Sequence, residues 1–319
     1  MLIVQKFGGS SLADAGKIRR VAGIIAGRRE KGDDVVAVLS ACGDTTNELC
    51  ARAQEICNPP PARELDALMS TGELCSVALM AMQLHSMGID SVSLSGRQAG
   101  IYTDSDYGNA HIRRIVPRRI AAELKAGRVV LAAGFQGIDL NDNITTIGRG
   151  GSDTTAVALS AALGADRCEI YSDVDGVYTT DPRLVTGAKR LDRIDYRDML
   201  NLALGGSQVL HSRSVETAAE NGVEVRLLSS YTAGGGTTLA HFDKRPMLCG
   251  VTRDKAKNKI SIVGAGVGED TLAEAAAVLN DNHIAVYSIE IVPEVCSVTV
   301  AKEKVLPALE LIHRHFFLR

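Results

Sequence analysis

The sequence has almost no excess of charge of either sign. Lys and Arg number 35 and Asp and Glu number 38, so the formal net charge is −3 over 319 residues. Broad binding to nucleic acids or membrane surfaces needs a strongly basic surface, and this composition argues against both classes. No apolar run approaches the roughly 20 residues that span a bilayer, and the N-terminal apolar stretch is too short for a signal peptide. We therefore expect a soluble, cytoplasmic protein.

The seven cysteines lack the spacing of a metal site or a disulfide framework. Their number is odd, and no Cys-x-x-Cys pair is present. Both features argue against a structural zinc site and against a set of disulfides. The simplest interpretation is buried thiols in a reducing cytoplasm.

The common nucleotide-binding signatures are also absent. The chain has no G-x-x-x-x-G-K-[ST] loop and no H-R-D or D-F-G sequence, which argues against P-loop NTPases and protein kinases. A Gly-Ala-Gly-Val-Gly stretch at 264–268 resembles part of a dinucleotide loop, but its third glycine comes one residue early. A turn at the end of a strand is the simpler interpretation of this stretch.

What the chain does contain is an alternation of strand and helix patterns. Apolar residues make up 45% of the sequence, enough for a packed core, and the length predicts about two domains. Up to residue 228, β-branched runs predict strands at 2–4, 35–40, 91–94, 129–135, 168–172 and 223–228. Helical patterns separate them at 18–25, 67–87, 118–125, 153–163 and 196–204. Such an order predicts a mostly parallel sheet with helices on both faces.

A glycine-rich segment at 233–237 is interpreted as a linker to a second unit. Beyond it, strands are predicted at 259–263, 285–292 and 296–301, with helices at 271–279 and 305–315. This order is one strand short of a ferredoxin-like unit, and the strand-like stretch 247–252 is a candidate for the missing strand.

Four glycine-rich turns follow predicted strands, at 6–11, 134–137, 148–153 and 173–176. Ligands of an open parallel sheet bind beyond the carboxyl ends of its strands. Glycine lets backbone N–H groups approach phosphate oxygens, and a basic residue beside the turn can hold a polyphosphate. Lys6 and Arg149 have that position. The four turns together predict an anion-binding site at one edge of the sheet.

Five segments, in the same order along the chain, resemble motifs of the aspartate kinases. They are Lys-Phe-Gly-Gly-Ser-Ser at 6–11, Ser-Ala-Cys-Gly-Asp-Thr-Thr at 40–46, Ser-Thr-Gly-Glu at 70–73, the Gly-Arg-Gly-Gly-Ser-Asp segment within 145–155, and Ser-Asp-Val-Asp-Gly-Val-Tyr-Thr-Thr-Asp-Pro-Arg at 172–183. The second unit resembles an ACT domain. The resemblance implies a three-layer, mostly parallel α/β catalytic domain of the amino acid kinase type at 1–240. It also implies a smaller, ferredoxin-like, single ACT regulatory domain at 241–319.

The activity that this resemblance implies is transfer of the ATP γ-phosphoryl group to the β-carboxylate of L-aspartate. The product is 4-phospho-L-aspartate, which leads to lysine and threonine biosynthesis. ATP is the co-substrate, and Mg²⁺ is expected on its phosphates rather than in a cluster of protein ligands. We expect a homodimer through the ACT-like domain, because the apolar strands at 285–292 and 296–301 offer an edge for pairing. The near-neutral composition predicts no nucleic-acid or membrane partner.

The resemblance assigns roles to individual residues. Lys6 and Asp153 are the expected catalytic residues. Lys6 would stabilise negative charge as the phosphoryl group moves, and Asp153 would orient Lys6. Thr45 and Arg149 are expected to bind the substrate carboxylate. Glu73 and Asp153 are expected to face its α-ammonium group. The expected nucleotide-binding residues are Lys6, Phe7, Gly8, Gly9, Ser10, Ser172, Asp173, Tyr178 and Arg183.

Several alternatives stay open at this stage. Arg149 and Asp153 could form a structural ion pair, or Asp153 could be a helix N-cap. His211 is better interpreted as a polar residue with its hydrogen bonds satisfied than as a catalytic base. Gln208 stands where the family often has a lysine near the adenine, which bears on nucleotide preference. The chain could instead phosphorylate another small acid, such as glutamate or an N-acetylated amino acid, or it could be a non-catalytic amino-acid sensor.

Overall fold

The computed structural model describes residues 1–232 and 234–318. The predicted linker at 233–237 therefore lies partly outside the described residues. Helices and strands follow in the order β1 (Leu2–Phe7), α1 (Ala15–Arg29), β2 (Asp34–Leu39), α2 (Thr45–Ile56), α3 (Ala62–Met69), α4 (Thr71–Ser86), β3 (Ser91–Leu94), β4 (Ile101–Thr103), β5 (Ile112–Ile115), α5 (Arg118–Lys125), β6 (Val129–Ala133), β7 (Gln136–Ile138), β8 (Ile144–Thr146), α6 (Gly151–Leu163), β9 (Arg167–Ser172), β10 (Arg193–Asp195), α7 (Tyr196–Leu204), α8 (Ser212–Asn221), β11 (Val225–Ser229), β12 (Thr237–Ala240), β13 (Gly250–Asp254), β14 (Lys259–Val263), α9 (Glu269–Asp281), β15 (Val286–Val292), β16 (Val295–Val300) and α10 (Val305–Phe317).

The chain divides into two compact units. The first comprises Met1–Asp175 and Glu220–Gly234, and the second comprises Gly176–Ala219 and Gly235–Arg319. Residues 176–219 thus group with the C-terminal half, because they pack against it. Val185, for example, lies in the same apolar core as Ile260 and Leu309. The domain boundary at residue 240 stays a prediction.

The main sheet of the first unit contains six parallel strands in the order β11-β9-β1-β2-β6-β3. Two of its strands carry long buried apolar runs: β6 is entirely buried, and so are the last five residues of β2. A strand with no polar face is buried on both sides, as in a sheet that helices cover above and below. Helices α1 and α4 pack on one of these faces. The mostly parallel α/β architecture is confirmed.

The sequence patterns missed a second, smaller sheet in this unit. It has the order β5-β4-β7-β8, with a parallel pair β4–β7 between two antiparallel pairs. Three of its strands are only three residues long. A strand of three residues is too short for a periodicity of two to be recognised.

The predicted helix over 67–87 is two helices, α3 and α4. Helix α3 ends at Met69, and the hydroxyl of its C-cap, Ser70, donates to the carbonyl of Ala67 at 2.8 Å. The combined stretch Ala62–Ser86 is the one described helical segment that is long and apolar enough to cross a membrane by length and composition. Val77, Met80 and Leu84 of α4 lie in the core of the first unit. Buried core helices of soluble proteins pass the same test, so this segment is weak evidence for a membrane span.

The second unit contains a four-stranded antiparallel sheet in the order β13-β14-β16-β15. Helices α9 and α10 supply apolar residues to its core. Strand β13 takes the edge position that a ferredoxin-like unit gives to its last strand, which confirms the ACT-like architecture and the source of the missing strand. The parallel pair β10–β12 also belongs to this unit.

The expectation of buried thiols is only partly right. Cys168, Cys249 and Cys296 are buried, but Cys57 and Cys75 are exposed. All seven cysteines are free thiols.

Candidate active site

Lys6 and Phe7 end the central strand β1, and alternation along the strand points their side chains to opposite faces. Phe7 is fully buried and stacks on Tyr171, with ring centroids 4.8 Å apart. Of Phe7, therefore, the backbone is the part that could contact a nucleotide. Lys6 points to the opposite face, and its side chain retains a small exposed fraction.

Lys6 pairs with Asp153, which lies 147 positions away in sequence. Lys6 Nζ is 2.7 Å from Asp153 Oδ1, and the side chains are only 11% and 13% exposed. Asp153 lies in the first turn of α6, whose N-cap is Gly150 with a left-handed φ of 72°. Asp153 is therefore not the N-cap of this helix.

Arg149 is exposed, and it forms no ion pair within residues 1–232 and 234–318. The alternative of a structural Arg149–Asp153 pair is thus wrong, because Lys6 occupies the carboxylate of Asp153. Gly148 and Gly150 flank the arginine, and both have a positive φ, of 84° and 72°. This backbone conformation favours glycine. The loop therefore presents a guanidinium group that has no protein carboxylate of its own.

The loops after β1 and β2 are in direct contact. The N–H of Gly43 donates to the carbonyl of Gly9 at 3.0 Å. A Cβ atom on Gly9 would lie 2.5 Å from the carbonyl oxygen of Ala41. Only glycine at position 9 permits this approach.

Thr45 begins α2 in the loop after β2, and it is half-buried. Its hydroxyl donates to the carbonyl of Cys42 at 2.7 Å, and its backbone N–H points to the same carbonyl at 3.1 Å. A hydroxyl has a single proton. Thr45 can therefore donate to a substrate carboxylate only after its hydroxyl rotates away from Cys42.

Glu73 lies in the first turn of α4 and contacts the same loop. Its Oε1 accepts the N–H of Ala41 at 3.0 Å, whereas its Oε2 is buried without a hydrogen-bond partner. Burial raises the pKa of Glu73 to about 7, against the opposing effect of the Ala41 hydrogen bond. The preceding Gly72 makes this contact possible, since a Cβ there would lie 2.8 Å from the Cβ of Ala41. A buried carboxylate with a vacant oxygen is suited to a cationic group.

The structure adds two residues that the sequence patterns did not single out, Phe135 and Ser152. Phe135 has a φ of 68°, a strained conformation for a residue other than glycine. Its N–H donates to Thr155 Oγ1 at 3.2 Å, and its carbonyl accepts the N–H of Ile147 at 2.8 Å. Ser152 is buried, and a Cβ on Gly134 would lie 2.7 Å from its Oγ. The one sequence feature that could have indicated Phe135 and Ser152 was their position in two of the glycine-rich turns.

The loops after β1, β9 and β11 are joined by hydrogen bonds. Ser11 and Ser230 share a hydrogen bond between their hydroxyls at 2.7 Å, and the N–H of Ser230 donates to the carbonyl of Ser172 at 3.0 Å. The carbonyl of Ser10 accepts the Tyr231 hydroxyl at 3.0 Å. Ser10, Ser172 and the exposed Asp173 thus belong to one set of connected loops.

The other predicted nucleotide-binding residues, Tyr178 and Arg183, belong to the second unit. Tyr178 forms a β-bridge with Arg190. Arg183 pairs with Asp181, with Nη2 and Oδ2 2.9 Å apart.

Gln208 is exposed in the second unit. His211 lies just before α8, where its Nδ1 accepts the N–H of Arg213 at 3.4 Å and its carbonyl accepts the N–H of Ser214 at 3.0 Å. These bonds organise the start of α8 and support the interpretation of His211 as a satisfied polar residue.

Residues 1–229 match the model of the amino acid kinase family. The chain belongs to the amino acid kinase family. Among the residues that the structure describes, this amino acid kinase has no group of three or more His, Cys, Asp or Glu side chains that could hold a metal ion.

Known members of this family include close relatives of the chain. An aspartokinase of Mycobacterium tuberculosis is 49% identical over 269 residues, which cover 82% of this chain and 64% of the relative. The chain thus spans less than two thirds of that relative's length. A crystal structure of aspartate kinase from Synechocystis aligns with a TM-score of 0.69 at 29% identity, over 99% of this chain and 69% of that one. E. coli aspartokinase III in complex with aspartate and ADP aligns with a TM-score of 0.73 at 25% identity, over 98% and 84%.

Proposed function

We propose that the chain is an aspartate kinase, which transfers the γ-phosphoryl group of ATP to the β-carboxylate of L-aspartate. The observation that carries the proposal is the buried Lys6–Asp153 pair beside the glycines that follow β1. The relatives named aspartokinase and the E. coli enzyme bound to aspartate and ADP support this choice of substrates.

The reaction needs charge stabilisation more than acid–base chemistry. A carboxylate oxygen of aspartate forms a bond to the γ-phosphorus, the bond to the bridging oxygen breaks, and ADP leaves with that electron pair. The β-carboxylate is already ionised at neutral pH, so no residue has to remove a proton. Lys6 stabilises the negative charge that builds up on the phosphate oxygens, and Asp153 holds the ammonium group of Lys6 in place.

The two ends of the amino-acid substrate meet opposite charges. Glu73 offers its vacant Oε2 to the α-ammonium group, and Arg149 offers a bidentate fork to a carboxylate. A free α-amino acid carries both groups. An N-acetylated amino acid has no ammonium group and would leave Glu73 without a partner.

We propose that Mg²⁺ enters this site bound to the nucleotide. Because the described residues offer no cluster of acidic and histidine ligands, phosphate and water oxygens would supply its coordination shell. When bound, the ion neutralises phosphate charge during transfer.

Turnover with different acids tests the proposal. Release of ADP from MgATP, followed by a coupled assay, should depend on L-aspartate and be much slower with L-glutamate or N-acetylglutamate. Equal or faster turnover with L-glutamate would reject the substrate. Ligand-dependent association without any ADP release would favour the sensor instead.

The pKa of Glu73 predicts how aspartate use depends on pH. The ionised carboxylate is the form that binds the ammonium group, so kcat/KM for aspartate should rise with pH through about 7. E73Q has no proton to lose, and it should remove this rise and lower kcat/KM. A wild-type profile that is flat between about pH 6 and 8 would contradict the role of Glu73.

The same burial has the opposite consequence for folding. The folded chain holds the Glu73 proton more tightly than the unfolded chain does. The contribution of Glu73 to the free energy of unfolding therefore falls as pH rises from the ordinary glutamate pKa of 4.5 to about 7.

We also propose that the chain forms a homodimer through its ACT-like sheet. Strand β15 is the outer strand of that sheet, and Tyr287, Ile289 and Ile291 on it are exposed. An edge strand with exposed apolar side chains is suited to pairing with a second copy. Sedimentation equilibrium of the full chain measures this association, and a monomer at micromolar concentration would contradict it.

A further inference from the structure

Asp66 is a buried carboxylate on α3 that belongs to none of the five aspartate-kinase-like segments. Its side chain is 1% exposed, and three donors meet its two oxygens. Oδ2 accepts the backbone N–H of Gly108 at 2.9 Å and that of Thr146 at 2.7 Å. Oδ1 accepts the hydroxyl of Thr146 at 2.7 Å. Helix α3 thus holds the end of β8 and the connection between β4 and β5 through one carboxylate.

Both segments border the loop that carries Arg149. Thr146 ends strand β8, three residues before Arg149. Gly108 packs against Gly148, since a Cβ on Gly148 would lie 2.9 Å from the Gly108 carbonyl oxygen. The two segments are also bonded to each other, because the N–H of Ala110 donates to the carbonyl of Thr146 at 2.9 Å. Asp66 therefore fixes the base from which Arg149 projects.

The hydrogen bonds made by Asp66 call for a carboxylate rather than a neutral side chain. The pKa of Asp66 is raised, because the effect of burial exceeds that of the hydrogen bonds from Thr146 and Gly108, which lower it. Loss of the side chain would leave two buried backbone N–H groups without an acceptor. Such groups are satisfied in folded proteins, so the segments would move until each found a new partner.

Asp66 and Glu73 are carried by the paired helices α3 and α4. Glu73 accepts a hydrogen bond from Ala41 in the loop after β2. Asp66 accepts one from Thr146, which directly precedes the loop that carries Arg149. The Ser70 carbonyl between them accepts Gln136 Nε2 at 2.9 Å, which ties this helix junction to strand β7. The helix pair thus connects the two loops that are proposed to bind opposite ends of the amino acid.

We propose that Asp66 is a positioning residue that sets the place of Arg149 for the substrate carboxylate. This role rests on the proposed function of Arg149. A guanidinium fork binds a carboxylate only in a narrow geometry, so a displaced loop weakens substrate binding even when the arginine is intact.

Steady-state kinetics with D66A test the role. A misplaced substrate-binding group costs up to about 100-fold, so we expect kcat/KM for aspartate to fall by about 10- to 100-fold. The loss should come from a higher KM for aspartate, with the KM for ATP unchanged. D66N keeps one oxygen that can accept both backbone N–H groups, and its KM for aspartate should lie between those of the wild type and D66A.

E123A is the matched control. Glu123 is a buried carboxylate of the same unit whose side chain pairs with Arg119 and Arg128 on α5 and after it. E123A should lower thermal stability without changing the KM for aspartate. An unchanged KM for aspartate in D66A, or in D66N if D66A does not fold, would overturn the proposal. An equal rise in E123A would also overturn it.

Amide hydrogen exchange separates this proposal from the proposed function. In D66A, peptides that cover 106–110 and 144–151 should exchange faster, while those of strands β1 and β6 should not change. That readout needs no substrate, so it tests the anchoring even if the wild type fails to phosphorylate aspartate. Unchanged exchange in both peptides would contradict the anchoring itself.

Discussion

K6A should lower kcat by about 100- to 1,000-fold, the loss typical when one group that stabilises transition-state charge is removed. Lys6 is the cationic group at the end of the central strand, and it is held by a carboxylate at 2.7 Å in a largely buried position. An ammonium group in such a position is already oriented before the reaction begins. Water molecules that replaced it would not supply the same stabilisation of the transition-state charge. The change in kcat is measured with MgATP and aspartate at saturation.

Two further variants separate the charge of Lys6 from its position. K6R keeps the positive charge but replaces a compact ammonium group with a planar fork, so it should recover only part of the activity. D153N leaves Lys6 charged but removes the ionic partner that orients it, so it should lower kcat less than K6A does. Near-normal turnover in K6A would refute the catalytic role, provided that its circular dichroism matches the wild type.

R245A should lower the free energy of unfolding by about 3–5 kcal/mol, the range for removing one partner of a buried ion pair. Arg245 Nε is 3.1 Å from Asp198 Oδ2, and its Nη1 and Nη2 contact the two oxygens of Glu294 at 2.7 and 2.9 Å. Burial raises the pKa of Asp198, which is 0% exposed, against the opposing effect of Arg245. Without the arginine, this carboxylate remains buried with no cation.

Urea unfolding of the full chain, followed by fluorescence or circular dichroism, measures the effect of R245A on the free energy of unfolding. K257A is the control, because Lys257 is 72% exposed and forms a surface ion pair with Asp254 in which Nζ and Oδ2 are 3.6 Å apart. An exposed pair of this kind should change stability by less than about 1 kcal/mol. If R245A and K257A unfold at the same urea concentration, the buried network does not stabilise the unit as proposed.

The parallel sheet could be predicted because its strands are buried on both faces. Residues 35–39 of β2 and all of β6 are consecutive apolar residues, a signal that needs no periodicity. The small sheet could not be predicted in this way, since β4, β7 and β8 have three residues each. Their pairing depends on contacts between segments that lie far apart in sequence.

The part of the candidate site that could be predicted is the part that lies in glycine-rich turns. Lys6 and Asp153 stand in two glycine-rich turns, and the order of strands in the sheet brings the turns together. Phe135 was less visible, because a positive φ at a residue other than glycine leaves no mark on the sequence. Asp66 was invisible for another reason. An aspartate within a helix resembles any solvated residue until its partners on other segments are known.

The close packing of Gly9 on Ala41 makes two distant stretches of sequence mutually dependent. The carbonyl of Ala41 faces Gly9, and its N–H is held by Glu73. A methyl group at position 9 would push the Ala41 carbonyl away, and the movement would pull on the carboxylate that the N–H holds. A substitution at Gly9, in the loop proposed to contact the nucleotide, would therefore also disturb the proposed binding of the amino acid by Glu73, although Glu73 itself had not changed.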